Sequence, residues 1–214
     1  MARLAVEAGH DVVLSNSRGP ETLQDLVDER GPQARAATAL EAAAAADLVV
    51  LTIPLKNVGS VSAETLSGKI VIDTSHYHPQ RDGQIAALDD RSSTTSQLVQ
   101  SLLPGSRVVK GFNNINYLHL GSLQRPAGST ERSVLAIAGD DRDAKAEVGA
   151  FLDSIGYDAY DAGPLADSWR FDVGTPAYGR PYNTDTTGAF TPPADSGRQV
   201  TAETLRRALA EATR

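Results

Sequence analysis

The sequence predicts an α/β fold, a doubly wound parallel sheet forming a single domain with a short C-terminal helical extension. Three observations predict it. Apolar runs of strand length recur at residues 47–53 (DLVVLTI), 69–73 (KIVID), 107–112 (RVVKGF) and 133–138 (SVLAIA). They lack the apolar–polar alternation of a strand with one wet face, as expected of strands covered on both sides. Helical stretches stand between several strand candidates, the pattern of crossover connections in a parallel sheet.

The elements follow in order. Residues 2–10 read as the tail of a helix and residues 11–14 (DVVL) as a strand. Pro20 and Glu21 open a helix reaching about residue 29, because proline and an acid suit a first helical turn; Gly31-Pro32 stops it. A short extended piece at residues 34–37 leads to an alanine-rich helix over residues 40–46. Pro54 ends the 47–53 strand. After the strand at 133–138, Asp140, Asp141 and Asp143 supply an N-cap and an acidic first turn for a helix over 142–155. Gly156 stops that helix, and a last strand follows near residues 157–160. Residues 183–197 are rich in Thr, Pro, Gly and Asp and read as an irregular or mobile loop. A final helix covers about residues 202–212, with Thr201 as N-cap. The expected division is 1–182 for the main domain and 183–214 for the loop and terminal helix.

Composition removes several function classes. The net charge of -7 and a pI near 5.1 argue against general binding to nucleic acid or anionic membranes. With no cysteine, disulfides, thiolate metal sites and cysteine nucleophiles are excluded. No apolar run reaches the roughly 18 residues of a membrane helix, and the N-terminus lacks signal-peptide features. A cytoplasmic location is therefore expected.

The strand at 11–14 ends in Ser15, Asn16, Ser17, Arg18, Gly19 and Pro20. In a dinucleotide-binding βαβ unit, the second strand ends at the adenosine ribose, where a carboxylate would bind the 2′-hydroxyl of NAD. Here two hydroxyls, an amide and a guanidinium stand instead, groups suited to a 2′-phosphate. The turn thus favours NADP(H), the alternative being a polar turn that merely closes a strand. The first strand and Gly-x-Gly-x-x-Gly turn of such a unit should precede residues 2–10; the sequence reads as starting inside the first helix. For the chain as it stands, weak or no NADP(H) binding is the corresponding expectation.

The segments SNSRGPETL, AAAAADLVVLTIPL, GKIVIDTSHYHPQRDGQIAALDD, STTSQLVQSLLPGSRVVKGFN and IAGDDRDAKAEV…AGPLADSWRFDVGTPAYG occur in that order between residues 2 and 178. Together they resemble the NADPH-dependent coenzyme F420 reductase family. The sequence departs from that family where the glycine loop is missing and at residues 182–198, which read as an insertion. The resemblance implies a Rossmann-like sheet with NADP(H) laid across the strand ends. By position, Ser15, Asn16, Ser17 and Arg18 would hold the 2′-phosphate. Thr52, Ile53, Pro54 and Leu55 would pass the pyrophosphate and nicotinamide ribose, mainly by backbone contact. Asp73, Thr74 and Ser75, with Phe112, Asn113 and Asn114, would lie near the nicotinamide, and the loop from Gly174 to Gly179 would close over the acceptor.

Other clusters read more simply as structure. His76 and His78 share a side of an extended segment near Asp73, but a zinc site needs three or four ligands and spacing fixes no third. A loop hydrogen bond or acceptor contact is the preferred role for the two histidines. His10, after Gly9, sits in a helix C-cap neighbourhood. Trp169 and Phe171 read as core residues, the alternative being a ring-stacking wall for an acceptor.

The function expected is hydride transfer between the nicotinamide of NADP(H) and a deazaflavin, coenzyme F420, or a similar small redox acceptor. The alternatives are an NADPH-dependent reductase of another small acceptor and a non-catalytic nucleotide-binding protein. No metal, nucleic-acid or membrane partner is expected; a homo-oligomer, most simply a homodimer, is. No catalytic side chain is singled out, because hydride transfer asks the protein chiefly for alignment.

Overall fold

The computed structural model describes residues 1–184 and 197–214. Along the chain run α1 (Ala2–Glu7), β1 (Val12–Leu14), α2 (Gln24–Arg30), β2 (Ala34–Ala36), α3 (Ala39–Ala45) and β3 (Leu48–Leu51). Next come β4 (Ile70–Asp73), α4 (Pro79–Asp82), α5 (Ala86–Asp89), α6 (Thr95–Leu102), β5 (Arg107–Lys110) and α7 (Tyr117–Ser122). The remainder is β6 (Val134–Gly139), α8 (Arg142–Ser154), β7 (Asp158–Asp161) and α9 (Ala202–Ala210). Short 3₁₀ turns cover Pro20–Leu23, Leu55–Ser60, Leu165–Phe171 and Arg180–Tyr182. The irregular loop expected at 183–197 lies mostly outside the described residues.

Strands β3, β4 and β5 pair in parallel and in step, with Leu51, Asp73 and Lys110 side by side at their carboxyl ends. The fold is the expected Rossmann-like α/β class, with one departure from an all-parallel sheet: β6 lies antiparallel to β5. The helix between β5 and β6, α7, has 6 residues. Strand β6 runs back against β5, with its last residues Ala138 and Gly139 beside Lys110 and Val109. By contrast, the 13-residue α8 spans the return, and β7 pairs parallel to β6. Strands β1 and β2 form their own parallel pair. Among the described residues no ladder joins β1 to β3.

The sheet buries both faces, and strand periodicity sorts its side chains. Ile70, Ile72 and Val109 face a core shared with Leu4 of α1, Leu120 of α7, Val148 and Leu152 of α8, and Leu205 and Leu209 of α9. Val71, Val108 and Leu51 face the other way, onto Val58, Leu66, Val99 and Leu103. Caps fix the helix starts. Thr38 with Glu41 and Thr94 with Gln97 form capping boxes at α3 and α6. Asp141 accepts from Ala144 N at 2.8 Å and Thr201 from Thr204 N at 3.2 Å, as the sequence predicts. His10 pairs through Nε2 with Ser154 Oγ at 2.8 Å, docking the end of α1 on α8.

Trp169 corrects the sequence reading. Phe171 is fully buried but Trp169 is only half-buried, its ring under the Arg214 guanidinium at 5.5 Å. Two residues apart on a tight turn, they point in different directions. Among the described residues no helix is long and apolar enough to cross a membrane.

Candidate functional site

The parallel strands deliver their polar residues to one end of the sheet, where ligands of open α/β sheets bind. At the end of β1, Asn16 shapes the turn. Its Oδ1 accepts from Arg18 N and Gly19 N at 2.9 and 3.0 Å, and its Nδ2 donates to Thr22 Oγ1 at 2.9 Å. Thr22 in turn donates to Gly19 O at 2.8 Å. Gly19 has φ of 111°, a conformation that favours glycine. With its amide spent inside the turn, Asn16 is a scaffold. Ser15, Ser17 and Arg18 are exposed, and their side chains make no hydrogen bond among the described residues. They fit an oxyanion: two hydroxyl donors and a guanidinium with all donors open. One carboxylate, that of Glu21, packs against Gly19 at the edge of this corner.

At the end of β3, Thr52 is exposed, Ile53 and Pro54 are half-buried, and Leu55 sits in the core, so any ligand contact from Leu55 is through its backbone. At the end of β4, Asp73 is fully buried. It accepts from Ser75 N at 2.9 Å, Ser75 Oγ at 2.5 Å and Ser96 Oγ at 2.7 Å, tying the strand end to the first turn of α6. Thr74 donates to Leu51 O at 3.1 Å. Asp73 and Thr74 thus build the floor of the site. At the end of β5, Phe112 takes a left-handed φ of 60°, turning the chain into Asn113 and Asn114. Asn113 Nδ2 donates to Phe171 O at 2.9 Å; Asn114 Nδ2 lies 3.3 Å from both Ala177 O and Tyr182 Oη. Both carboxamide oxygens are buried without a partner among the described residues. These two side chains bind the 171–182 segment to the sheet.

Between these strand ends lies a cluster that sequence reasoning did not single out. Lys110, the last residue of β5, is completely buried. Its Nζ donates to Thr95 Oγ1 at 3.0 Å and Ser75 O at 3.2 Å, and sits 3.3 Å from Asp172 Oδ2. Thr95 donates to the same carboxylate oxygen at 2.8 Å, and Val173 N to Asp172 Oδ1 at 2.8 Å. His76 Nδ1 faces Asp172 Oδ1 at 3.5 Å, an electrostatic contact longer than a good hydrogen bond. Burial opposes the charge on Asp172, but Lys110, His76 and Thr95 outweigh it and hold the carboxyl well below its usual range. The His76 ring meets Tyr178 edge-on at 5.2 Å and His78 at 6.1 Å. Burial, then the Asp172 charge, pushes the Tyr178 phenol up to about 12. Among the described residues no group of three or more histidines and carboxylates is placed to hold a metal ion.

The histidine loop is held from below. Arg81 donates to His76 O at 2.7 Å and pairs with Asp82 at 2.8 Å. Asp82 also accepts from His78 N at 3.0 Å and Lys56 N at 3.4 Å. The Arg81 hydrogen bonds, working against burial, lower the Asp82 carboxyl to about 2. A depressed carboxyl contributes fully above its unfolded value near 4 and loses that contribution as pH falls through about 2. We expect protection of the His78 amide, its exchange relative to the intrinsic rate at each pH, to fall as pH drops from about 4 to about 2, with no such step in Asp82→Asn. An unchanged acid profile in that variant would assign the loop's order to other contacts.

A cleft of about 690 Å³ lies elsewhere, near the amino end of β5 and the carboxyl end of β6, lined in part by Gln100, Arg107 and Asp141. Its polar groups are occupied: Gln100 bonds Leu103 O, Ser106 O and Val108 N, and Asp141 caps α8.

Known proteins share this fold and, in part, this sequence. Residues 1–77 match the family model described as NADP oxidoreductase, coenzyme F420-dependent. That span contains the Ser15–Arg18 turn, Thr52–Leu55, Asp73–Ser75 and His76. The structure of the "hypothetical protein SMa0349" from Sinorhizobium meliloti is similar at TM-score 0.70 and 28% identity, over 82% of this chain and 85% of that one. The "putative f420 dependent nadp-reductase" from Arthrobacter sp. fb24 is similar at TM-score 0.66 and 27% identity, over 78% and 80%. An imine reductase from Bacillus cereus BAG3X2, at TM-score 0.51 and 22% identity over 77% of this chain and 50% of that one, shares the fold. Comparison with curated protein sequences gives no match. The class defined by fold and matches is that of Rossmann-like, NADP-dependent oxidoreductases. Within it, the resemblance to the coenzyme F420-dependent family is shown over residues 1–77.

Proposed function

We propose that the protein transfers a hydride between NADP(H) and a small planar acceptor, with coenzyme F420 the first candidate. The observation that carries this reading is the open set of Ser15, Ser17 and Arg18 at the end of β1, where a carboxylate would select NAD. Nicotinamide supplies the hydride chemistry when bound. The protein's part is to bind and orient. Arg18 and the two serines anchor the adenosine phosphate, Thr52 and the backbone to Leu55 line the path toward β4, and the His76–Tyr178 pair with the 171–182 segment walls the reacting end. F420 is favoured by the match over residues 1–77 and by the Arthrobacter neighbour's description.

The test separates cofactor from acceptor. Arg18→Ala should cost about 1.5–3 kcal/mol in NADPH affinity, the range for hydrogen bonds to charged groups, and leave NADH binding nearly unchanged; calorimetric titration reads both. Equal losses for the two cofactors would remove Arg18 from the 2′-phosphate. A spectrophotometric screen of NADPH oxidation, F420 first, then identifies the acceptor.

A further inference from the structure

We propose that His76 is the proton donor to the acceptor during hydride transfer, with Asp172 as its positioning residue; this rests on the hydride-transfer reading above. A neutral acceptor that receives a hydride at carbon gains a C–H bond, and its displaced π pair moves to a heteroatom. A proton on that atom converts the resulting anion to the neutral reduced acceptor. The equation is then NADPH plus acceptor plus one proton giving NADP⁺ and the reduced acceptor.

The geometry selects His76 for that proton. It directly follows Ser75 at the carboxyl end of β4, and its side chain is 22% exposed. Its Nδ1 is buried 3.5 Å from Asp172 Oδ1, too far for a good hydrogen bond and with no other partner among the described residues; a proton on Nδ1, facing that carboxylate, sets the ring's tautomer. Nε2 makes no hydrogen bond among the described residues and is the ring atom left to face a ligand. Protonated, Nε2–H donates in the reducing direction. Neutral, the same atom accepts the proton when the reaction runs backward.

The groups facing the ring come from several elements: Asp172 after the Leu165–Phe171 turn, Tyr178 beyond it, His78 on its own loop, and Lys110 and Thr95 behind the shared carboxylate. Tyr178 is the competing donor. With its phenol held up to about 12 by burial and by Asp172, it gives up a proton poorly near neutral pH.

Two measurements decide. In ligand-free protein with nitrogen-labelled histidine, the neutral His76 ring should carry its proton on Nδ1, and that single-tautomer signature should weaken once the Asp172 carboxylate is removed. Asp172→Asn alone leaves Lys110 buried and unpaired, so Lys110→Met/Asp172→Asn is the folded comparison. An unchanged tautomer signature would overturn the positioning role.

In turnover, His76→Gln should lower kcat by about 100-fold, within the span of one acid–base group, and leave NADPH affinity within about twofold. Wild-type kcat should show a falling limb at high pH, and that limb should vanish in the variant. A full pH limb in His76→Gln that disappears in Tyr178→Phe would assign the proton to the tyrosine instead. A wild type that oxidises NADPH with no acceptor of the screen would sink the hydride reading itself, whereas turnover unaffected by His76→Gln would sink only this one.

Discussion

Asp172→Ala is expected to destabilise the protein by about 3–5 kcal/mol, the cost of leaving a buried charge without its partner. Lys110 is completely buried, and removal of the carboxylate leaves its ammonium only Thr95 Oγ1 and Ser75 O, two neutral acceptors. Urea unfolding with a constant m-value reads the loss. Lys110→Met/Asp172→Asn should recover most of it, because a buried pair replaced as a unit costs far less than a broken one. The pair also sets the acid response. The folded Asp172 carboxyl lies below its unfolded value, so its contribution is complete above the ordinary carboxylate range and fades as pH falls below about 4. The acid-side slope of stability should therefore flatten in the double variant. A loss under about 1 kcal/mol in Asp172→Ala would mean that Asp172 is not the partner that compensates the buried Lys110.

This cluster also marks where sequence reading stops. The apolar runs at 47–53, 69–73, 107–112 and 133–138 became β3 to β6, and the caps at Asp141 and Thr201 stand where their residue types put them. Those features are local, written in periodicity and in the residue next door. The helix α6 was missed although its Thr94–Gln97 capping box is a local signal. The reversal of β6 has no such local mark, because residues 111–133 are long enough to enter the sheet in either direction. Lys110 and Asp172 are a different matter. They are 62 positions apart, and nothing around either residue distinguishes it from a solvated charge. Only packing of the 165–172 segment over the end of β5 unites them. Similarly, Ser15 to Arg18 were legible as a phosphate-type turn, but not that Asn16 would be used up inside it.

Tyr182→Ala is expected to cost about 3–5 kcal/mol, the range for truncating a large buried aromatic ring, and to loosen the site as well. The ring is fully buried in the core that α8 and α9 share with the sheet. Its hydroxyl donates to Val134 O at 2.8 Å and lies 3.3 Å from Asn114 Nδ2. Burial pushes the phenol far above its ordinary value, so it stays a neutral donor at every working pH. Truncation therefore leaves both a void and an unpaired carbonyl at the start of β6. Asn114 also reaches Ala177 O, and Gly179 N donates to Asn114 O at 3.0 Å, so the loop bearing Tyr178 is held through the same contacts. Tyr182→Phe keeps the ring and removes only the hydroxyl; about 1–3 kcal/mol is expected there, the penalty of an unsatisfied buried group. Thermal and urea unfolding measure both variants, and hydrogen exchange at Gly179 reports the loop. If Tyr182→Ala unfolded no more easily than Tyr182→Phe, the ring would contribute nothing beyond its hydroxyl. Protection at Gly179 that survived both substitutions would show the loop to be anchored by Asn114 alone.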